Sequence, residues 1–254
     1  MTDGEVRYGR DGEIATVIFD RPAARNAMTW RMYEQLGEAC AQIRREDGLR
    51  VAVFRGAGGK AFIAGTDIAQ FRAFRGGDDG IAYEEKMEAI LASVETLPVP
   101  TLAVIEGFAI GGGLAIAAAC DIRAATPGSR FGVPIARTLG NCLSIANYAR
   151  LVAALGASRA KRMLLLAENL SAEEAGGREI VEAEELDRRV CALCARLAQH
   201  APITMRVSKE AIGRLLHAGL PHGDDLVRAC YGSDDFRLGV EAFVDKREPR
   251  WTGK

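Results

Sequence analysis

Histidine is scarce in this chain. Only His200, His217 and His222 occur among 254 residues, all near the C-terminus. That placement leaves the glycine-rich middle of the sequence without a partner for Ser-His or Cys-His nucleophilic chemistry. No apolar run reaches the roughly 18 residues that mark a membrane span. The opening Met-Thr-Asp-Gly-Glu has neither a basic region nor a signal core, so the cytoplasm is the expected compartment and no membrane partner is expected. A formal net charge of -1 argues against nucleic acid as the main partner. Neither GxGxxG nor GxxxxGK[ST] occurs, so nucleotide-phosphate cradling is not signalled. A GxSxG elbow is also missing. Six cysteines stand at 40, 120, 142, 191, 194 and 230, a scatter that does not suit a disulfide framework in a chain of this size. Cys191 and Cys194 form a CxxC, but inside the helically periodic stretch 184–199, where buried helix-face thiols explain them without metal or redox use.

What is present is an ordinary soluble composition, 48% hydrophobic and 26% charged, in a length that suits one large domain or a domain with an appendage. Strands are predicted at 14–19, 51–54, 101–105, 121–125 and 131–133. Helices are predicted at 28–43, 84–97 and 112–120, then about 145–155, 158–166, 184–199, 204–217 and 235–247. Thr29 stands where the first helix needs a cap. Gly76-Gly-Asp-Asp-Gly80 reads as a mobile surface loop. Strands alternating with helices, followed by a helical tail, argue an α/β fold with a C-terminal helical extension. No fixed-period repeat is visible.

Two corners concentrate the chemistry. Thr101–Ile105 runs into Gly111-Gly-Gly113, and an Ala-rich helix follows. The first N–H groups of such a helix have no internal partner, and its positive end favours developing negative charge. Ala64-Gly-Thr-Asp67 is a similar small-residue corner behind an earlier strand. If the corners face each other, one N–H from each could grip a thioester carbonyl; the alternative is that the glycines only permit tight helix–sheet packing. After the glycines come Leu114, Ala115, Ile116 and Ala117, with no acid, base or nucleophile. The acidic segment Tyr83–Glu88 reads as a solvated face, with a pocket wall as the alternative. Asp121 reads as structural, and Trp30 and Phe62 as core.

These corners, in this order, resemble the enoyl-CoA hydratase/isomerase (crotonase) superfamily across nearly the whole chain. Val17-Ile-Phe-Asp-Arg-Pro-Ala-Ala-Arg-Asn-Ala-Met28 is similar to the family's first strand and CoA-contacting turn. Lys60-Ala-Phe-Ile-Ala-Gly-Thr-Asp-Ile68 resembles its Phe-x-Ala-Gly-x-Asp corner. Gly107–Asp121 resembles its Gly-x-Ala-x-Gly-Gly-Gly signature, and Asp235–Trp251 its closing helix. The resemblance implies a spiral of ββα units over residues 1–190 and a helical oligomerisation region over 191–254, in a homotrimer or dimer of trimers. It implies oxyanion donors at the backbone of Thr66 and Gly112, with one such donor contributing about 3–4 kcal/mol to a transition state. Substrate contacts are implied at Ala24, Arg25, Ala27, Ala64, Thr66, Asp67, Ile68, Gly112, Ile135, Phe243 and Lys246. Coenzyme A would enter as part of the substrate, with no cofactor or metal, in a lyase or isomerase reaction of the fatty-acid type.

The chain also departs from the family pattern. Hydratases carry one glutamate at the place of Ala115 and a second at the place of Ile135, after Phe131-Gly-Val-Pro134. Acid–base help is worth about 10²–10⁴-fold per group, so efficient hydration of a 2-enoyl-CoA is expected to be lost. The segment Ala136–Ser144 replaces a glycine-rich loop and brings Arg137, Asn141, Cys142 and Ser144 near the chemistry, while Ala172–Ile180 is short against the family pattern. Replacement acids or bases are sought at Asp67, at Glu84, Glu85 or Glu88, and at Cys142. Arg137 is a candidate for binding a substrate carboxylate or phosphate, and decarboxylation would need only enolate stabilisation. The other reading is a non-catalytic acyl-CoA-binding or assembly-forming relative.

Overall fold

The computed structural model describes residues 4–177 and 179–254. The reading of Met1–Asp3 as free of a signal core, and of Arg178 within the shortened segment, lies outside the described residues.

The chain winds in ββα turns whose strands divide between two sheets. β1 (Glu5–Asp11) and β2 (Ile14–Asp20) form an antiparallel pair followed by α1 (Trp30–Arg45), which Thr29 caps by accepting from Met32 N–H at 3.3 Å. The next turn is β3 (Val51–Gly56), β4 (Ala61–Ile63) and α2 (Gly77–Glu95). After it come β5 (Thr101–Ile105), β6 (Phe108–Ile110) and α3 (Gly112–Ala119), then β7 (Ile122–Ala125), β8 (Arg130–Gly132) and the short α4 (Ile135–Thr138). α5 (Ile145–Leu155), α6 (Ala157–Leu165), β9 (Asn169–Ser171) and β10 (Glu179–Ile180) complete the core. α7 (Ala183–Ala198), α8 (Pro202–His217), α9 (Asp224–Tyr231) and α10 (Asp234–Val244) follow.

β1 and β2 both enter a six-stranded sheet, in the order β1-β2-β3-β5-β7-β10. In the next three turns the first strand (β3, β5, β7) joins that sheet and the second (β4, β6, β8) a four-stranded sheet, β4-β6-β8-β9. Apart from the β1–β2 and β8–β9 pairs, neighbouring strands are parallel. Parallel strands covered on both faces need apolar side chains at successive positions, and β3 and β5 show how these divide. Ala52, Phe54, Ala103 and Ile105 point into the main core, which they share with α1, α2, α3 and α5. Val51, Val53, Leu102 and Val104 point the other way, onto Leu186, Val190, Leu193 and Leu197 of α7. The boundary expected between 190 and 191 therefore falls inside a continuous helix that is docked on the sheet.

The expected loop at 76–80 is instead the first turn of α2. Gly77 lies against the backbone of Arg228 and Gly80 against the Tyr231 ring, both on α9, with no room for a Cβ at either position. Asp78 and Asp79 suit the positive start of the helix. These glycines allow close helix packing rather than mobility. Asp121 is structural: its Oδ2 accepts from Thr101 N–H at 2.7 Å and from Lys209 Nζ at 2.6 Å. Phe62 is fully buried, and Cys194 is buried on α7 beside an exposed Cys191. Among the described residues no cluster of potential metal ligands occurs, and no helix is long and apolar enough to cross a membrane.

Candidate functional site

The two corners meet. Met28 N–H donates to Gly65 O at 2.9 Å and Asp67 N–H donates to Met28 O at 2.8 Å, which holds the segment 64–67 in a bridge with the turn before α1. Asn26 anchors that turn. It is fully buried, accepts from Arg21 N–H at 2.9 Å and donates to Ala61 O at 2.8 Å. On the other side Gly111 takes φ 54° and ψ −120°, a conformation only glycine enters readily, and its N–H donates to Gly132 O at 2.8 Å. Gly113 lies against Ile63 O, where a Cβ would collide. Between them Gly112 begins α3, so its N–H has no helical acceptor. Among the described residues, neither the Thr66 nor the Gly112 N–H donates to a backbone carbonyl. A Cβ on Gly112 would meet Tyr33 Oη and lie 3.3 Å from Thr66 Oγ1. The corners are thus direct neighbours.

Both corners line one cavity of about 130 Å³. Ala64, Ile68, Ala115, Ile135 and Phe243 line it as well, so α10 reaches the rim through a half-exposed Phe243. Ala24, Arg25 and Ala27 sit in the turn beside the corner. Ala64 N–H donates to Arg25 O at 3.0 Å, and the Arg25 side chain lies over the Phe108 ring. Lys246 is exposed just beyond α10. Ala115 and Ile135 are both nearly buried and place only hydrocarbon at the cavity wall.

Several expected replacements are not placed in the cavity. The Asp67 carboxylate is turned away, ion-paired to Arg21 at 2.9 Å and accepting from Ala69 N–H at 3.3 Å. Arg137 is exposed, since the short α4 directs it outward, and no Lys or Arg lines the cavity among the described residues. Cys142 is half-buried and packs toward α9, where the neighbouring Cys230 thiol and burial push its own thiol far up, so it is no ready thiolate. Ser144 caps α5 by accepting from Asn147 N–H at 3.2 Å. Glu85 is exposed, and Glu88 is tied to Arg150, which is buried between Glu88 and Glu95.

Glu84 overturns the reading of its segment as a solvated face. It is 5% exposed and lines the cavity. Tyr231 Oη donates to its Oε1 at 2.7 Å, and Ser144 N–H donates to its Oε2 at 2.8 Å. Burial pushes its pKa up to about 7, the Glu88 charge adds to that, and the two donors pull the other way. Tyr33, Asn141 and Asn147 join the lining. Tyr33 Oη lies 2.8 Å from Thr66 Oγ1, and burial raises its phenol to about 12, so it is a neutral hydroxyl at pH 7. No local sequence signal singles out Tyr33 or Asn147, because each reaches the cavity from a helix read only for its apolar face. Tyr231, which stands behind Glu84, lies on α9, a helix not predicted from the sequence.

A family model described as Enoyl-CoA hydratase/isomerase matches residues 9–254. The chain belongs to the enoyl-CoA hydratase/isomerase family. It is 31% identical over 258 residues to enoyl-CoA hydratase domain-containing protein 2, mitochondrial, of Bos taurus, covering 97% of this chain and 86% of that one. Among solved structures it is similar to an enoyl-CoA hydratase/carnithine racemase from Magnetospirillum magneticum, with TM-score 0.80 and 33% identity over 98% of this chain and 96% of that one. It is also similar to a methylmalonyl CoA decarboxylase complexed with 2S-carboxypropyl CoA, with TM-score 0.89 and 25% identity over the full length of both. The fold is the family's crotonase fold, a spiral of ββα turns with a helical C-terminal extension.

Proposed function

We propose that this enoyl-CoA hydratase/isomerase family member binds an acyl-CoA thioester and stabilises its enolate between the Thr66 and Gly112 N–H groups, without the two-glutamate hydration chemistry. The observation that carries this reading is two N–H groups, free of backbone acceptors, on the wall of one cavity whose flanking positions are Ala115 and Ile135. Preorganised donors of that kind act on charge that develops in the reaction and need no reorganisation. A methyl and a sec-butyl group cannot position or activate water. The coenzyme A portion would run along Ala24, Arg25 and Ala27 toward Phe243 and Lys246, and no further cofactor is needed. The expected compartment is the cytoplasm, although the Bos taurus relative is mitochondrial by name.

The extension supports self-assembly. α8 has no buried residue, and Ile203, Val207, Ile212 and Leu215 are each more than half exposed. Exposed apolar side chains of this kind mark an interaction surface, and a homotrimer is the assembly proposed.

The test is calorimetric titration with butyryl-CoA and crotonyl-CoA, with crotonyl-CoA hydration followed by the loss of its enoyl absorbance. Binding of both with negligible hydration is expected. Rapid hydration by the unaltered chain would overturn the reading of Ala115 and Ile135, and absence of binding would overturn the thioester reading.

A further inference from the structure

The wall formed by α2 supplies what the walls at 115 and 135 lack. Glu84 shares the cavity with Thr66 and Gly112. All three line that one cavity of about 130 Å³, so an acyl group held at the two donors shares its space with the carboxylate. Each Glu84 oxygen is held by one donor, Tyr231 Oη on Oε1 and Ser144 N–H on Oε2. A carboxylate oxygen has two acceptor sites, so one on each remains available for a proton. Among the described residues no Lys, Arg or His bonds to Glu84. The titratable groups around it are Tyr33 on α1, Tyr83 and Glu88 on α2, Tyr231 and Cys230 on α9, and Cys142 and Tyr148 on the α4–α5 side. Of these Glu88 is the one other carboxylate, and it is ion-paired with Arg150. The Oδ1 atoms of Asn141 and Asn147 are buried in the same lining without a hydrogen-bond partner. Unpartnered buried acceptors are costly, and their presence here marks this end of the cavity as one that receives polar atoms of a ligand.

We propose that Glu84 removes and returns the proton on the carbon next to the thioester carbonyl, as a relocated acid–base carboxylate of this site. The proposal rests on the thioester reading above. In the step, the C–H bond breaks, its proton forms an O–H bond on Glu84, and the electron pair moves into the enolate. The resulting charge lies on the oxygen held by Thr66 and Gly112 N–H. Return of the proton to the same carbon regenerates the thioester. With a β,γ-unsaturated acyl group, return to the γ carbon gives the conjugated isomer, with no other reactant. A carboxyl group that titrates near neutrality is well matched to both halves of this exchange.

The experiment follows deuterium uptake from D2O into 3-butenoyl-CoA by mass spectrometry, with affinity measured alongside, for the unaltered chain and for Glu84→Gln. Glutamine fits the site: its Oε1 can accept from Ser144 N–H while its amide donates to Tyr231 Oη, which can then turn to Cys142 O at 3.4 Å. The expected result is a loss of exchange by about 10²-fold or more with affinity unchanged. Exchange by the unaltered chain should rise through pH of about 7 and level off. Tyr231→Phe, which removes a donor to the carboxylate, should move that inflection to higher pH, a shift that a purely structural Glu84 would not give. Equal exchange by Glu84→Gln, or binding without exchange by the unaltered chain, would overturn the proposal. Failure of both proteins to bind would instead overturn the thioester reading on which it rests.

Discussion

Tyr231 Oη donates to Glu84 Oε1 across 2.7 Å, joining α9 to α2 at a point buried from solvent. The bond ties the C-terminal extension to the cavity wall, and Phe71, Phe74, Tyr83 and Phe236 pack around it as an aromatic cluster. The extension therefore shapes the cavity wall of its own chain.

Burial of the Glu84 carboxyl, which this bond only partly offsets, sets a pH dependence of stability. The Glu84 pKa is raised in the folded state from 4.5 to about 7, so folding takes up a proton in that window. Its contribution is fully present below the unfolded value and is lost as pH rises through the folded one. At 1.36 kcal/mol per unit the loss is at most about 3 kcal/mol. Urea unfolding at pH 5 and pH 8 should show Glu84→Gln with a smaller decline than the unaltered chain.

Arg150 is 1% exposed and held by Glu88 and Glu95, and Glu95 also bonds His217 Nε2 at 2.8 Å. Removing one partner of a buried cluster strands the remaining charges. Arg150→Ala should lose about 3–5 kcal/mol in chemical denaturation.

Acids placed at 115 and 135 should raise hydration. Ala115→Glu combined with Ile135→Glu places two carboxyl groups at the cavity wall, beside the two N–H donors. Crotonyl-CoA hydration should rise by about 10²-fold or more over the unaltered chain, measured by enoyl absorbance.

Assembly should depend on α8. Ile212→Glu with Leu215→Glu puts charge on two side chains that are 66% and 78% exposed. Light scattering should show a smaller particle than the unaltered chain, with circular dichroism unchanged.

The repeating elements were legible because their patterns are local. The apolar runs 51–54 and 101–105, the periodic stretch 184–199 and the glycine corner each fall where the structure has them. Short strands such as β4, β6 and β9 were less legible, since three residues carry no period of their own. Gly76–Gly80 misled because glycine serves both flexible loops and close helix contacts, and only the α9 neighbour distinguishes them. Glu84 was ambiguous for a similar reason. Between Tyr83 and Glu85 it looks like a solvated acid, and its burial depends on Tyr231, which is 147 residues away in sequence. The two glycine-bearing corners were readable as a pair, whereas the side chains completing the cavity come from α1, α2, α5 and α10 and meet only in three dimensions.

Isotope-edited infrared spectroscopy of butyryl-CoA labelled with ¹³C at its carbonyl tests the role of Thr66 and Gly112 most directly, since it needs no turnover. Two converging N–H donors weaken the carbonyl bond, so the bound thioester should absorb at a lower frequency than it does in water. A bound carbonyl absorbing at or above its frequency in water would contradict enolate stabilisation by this pair.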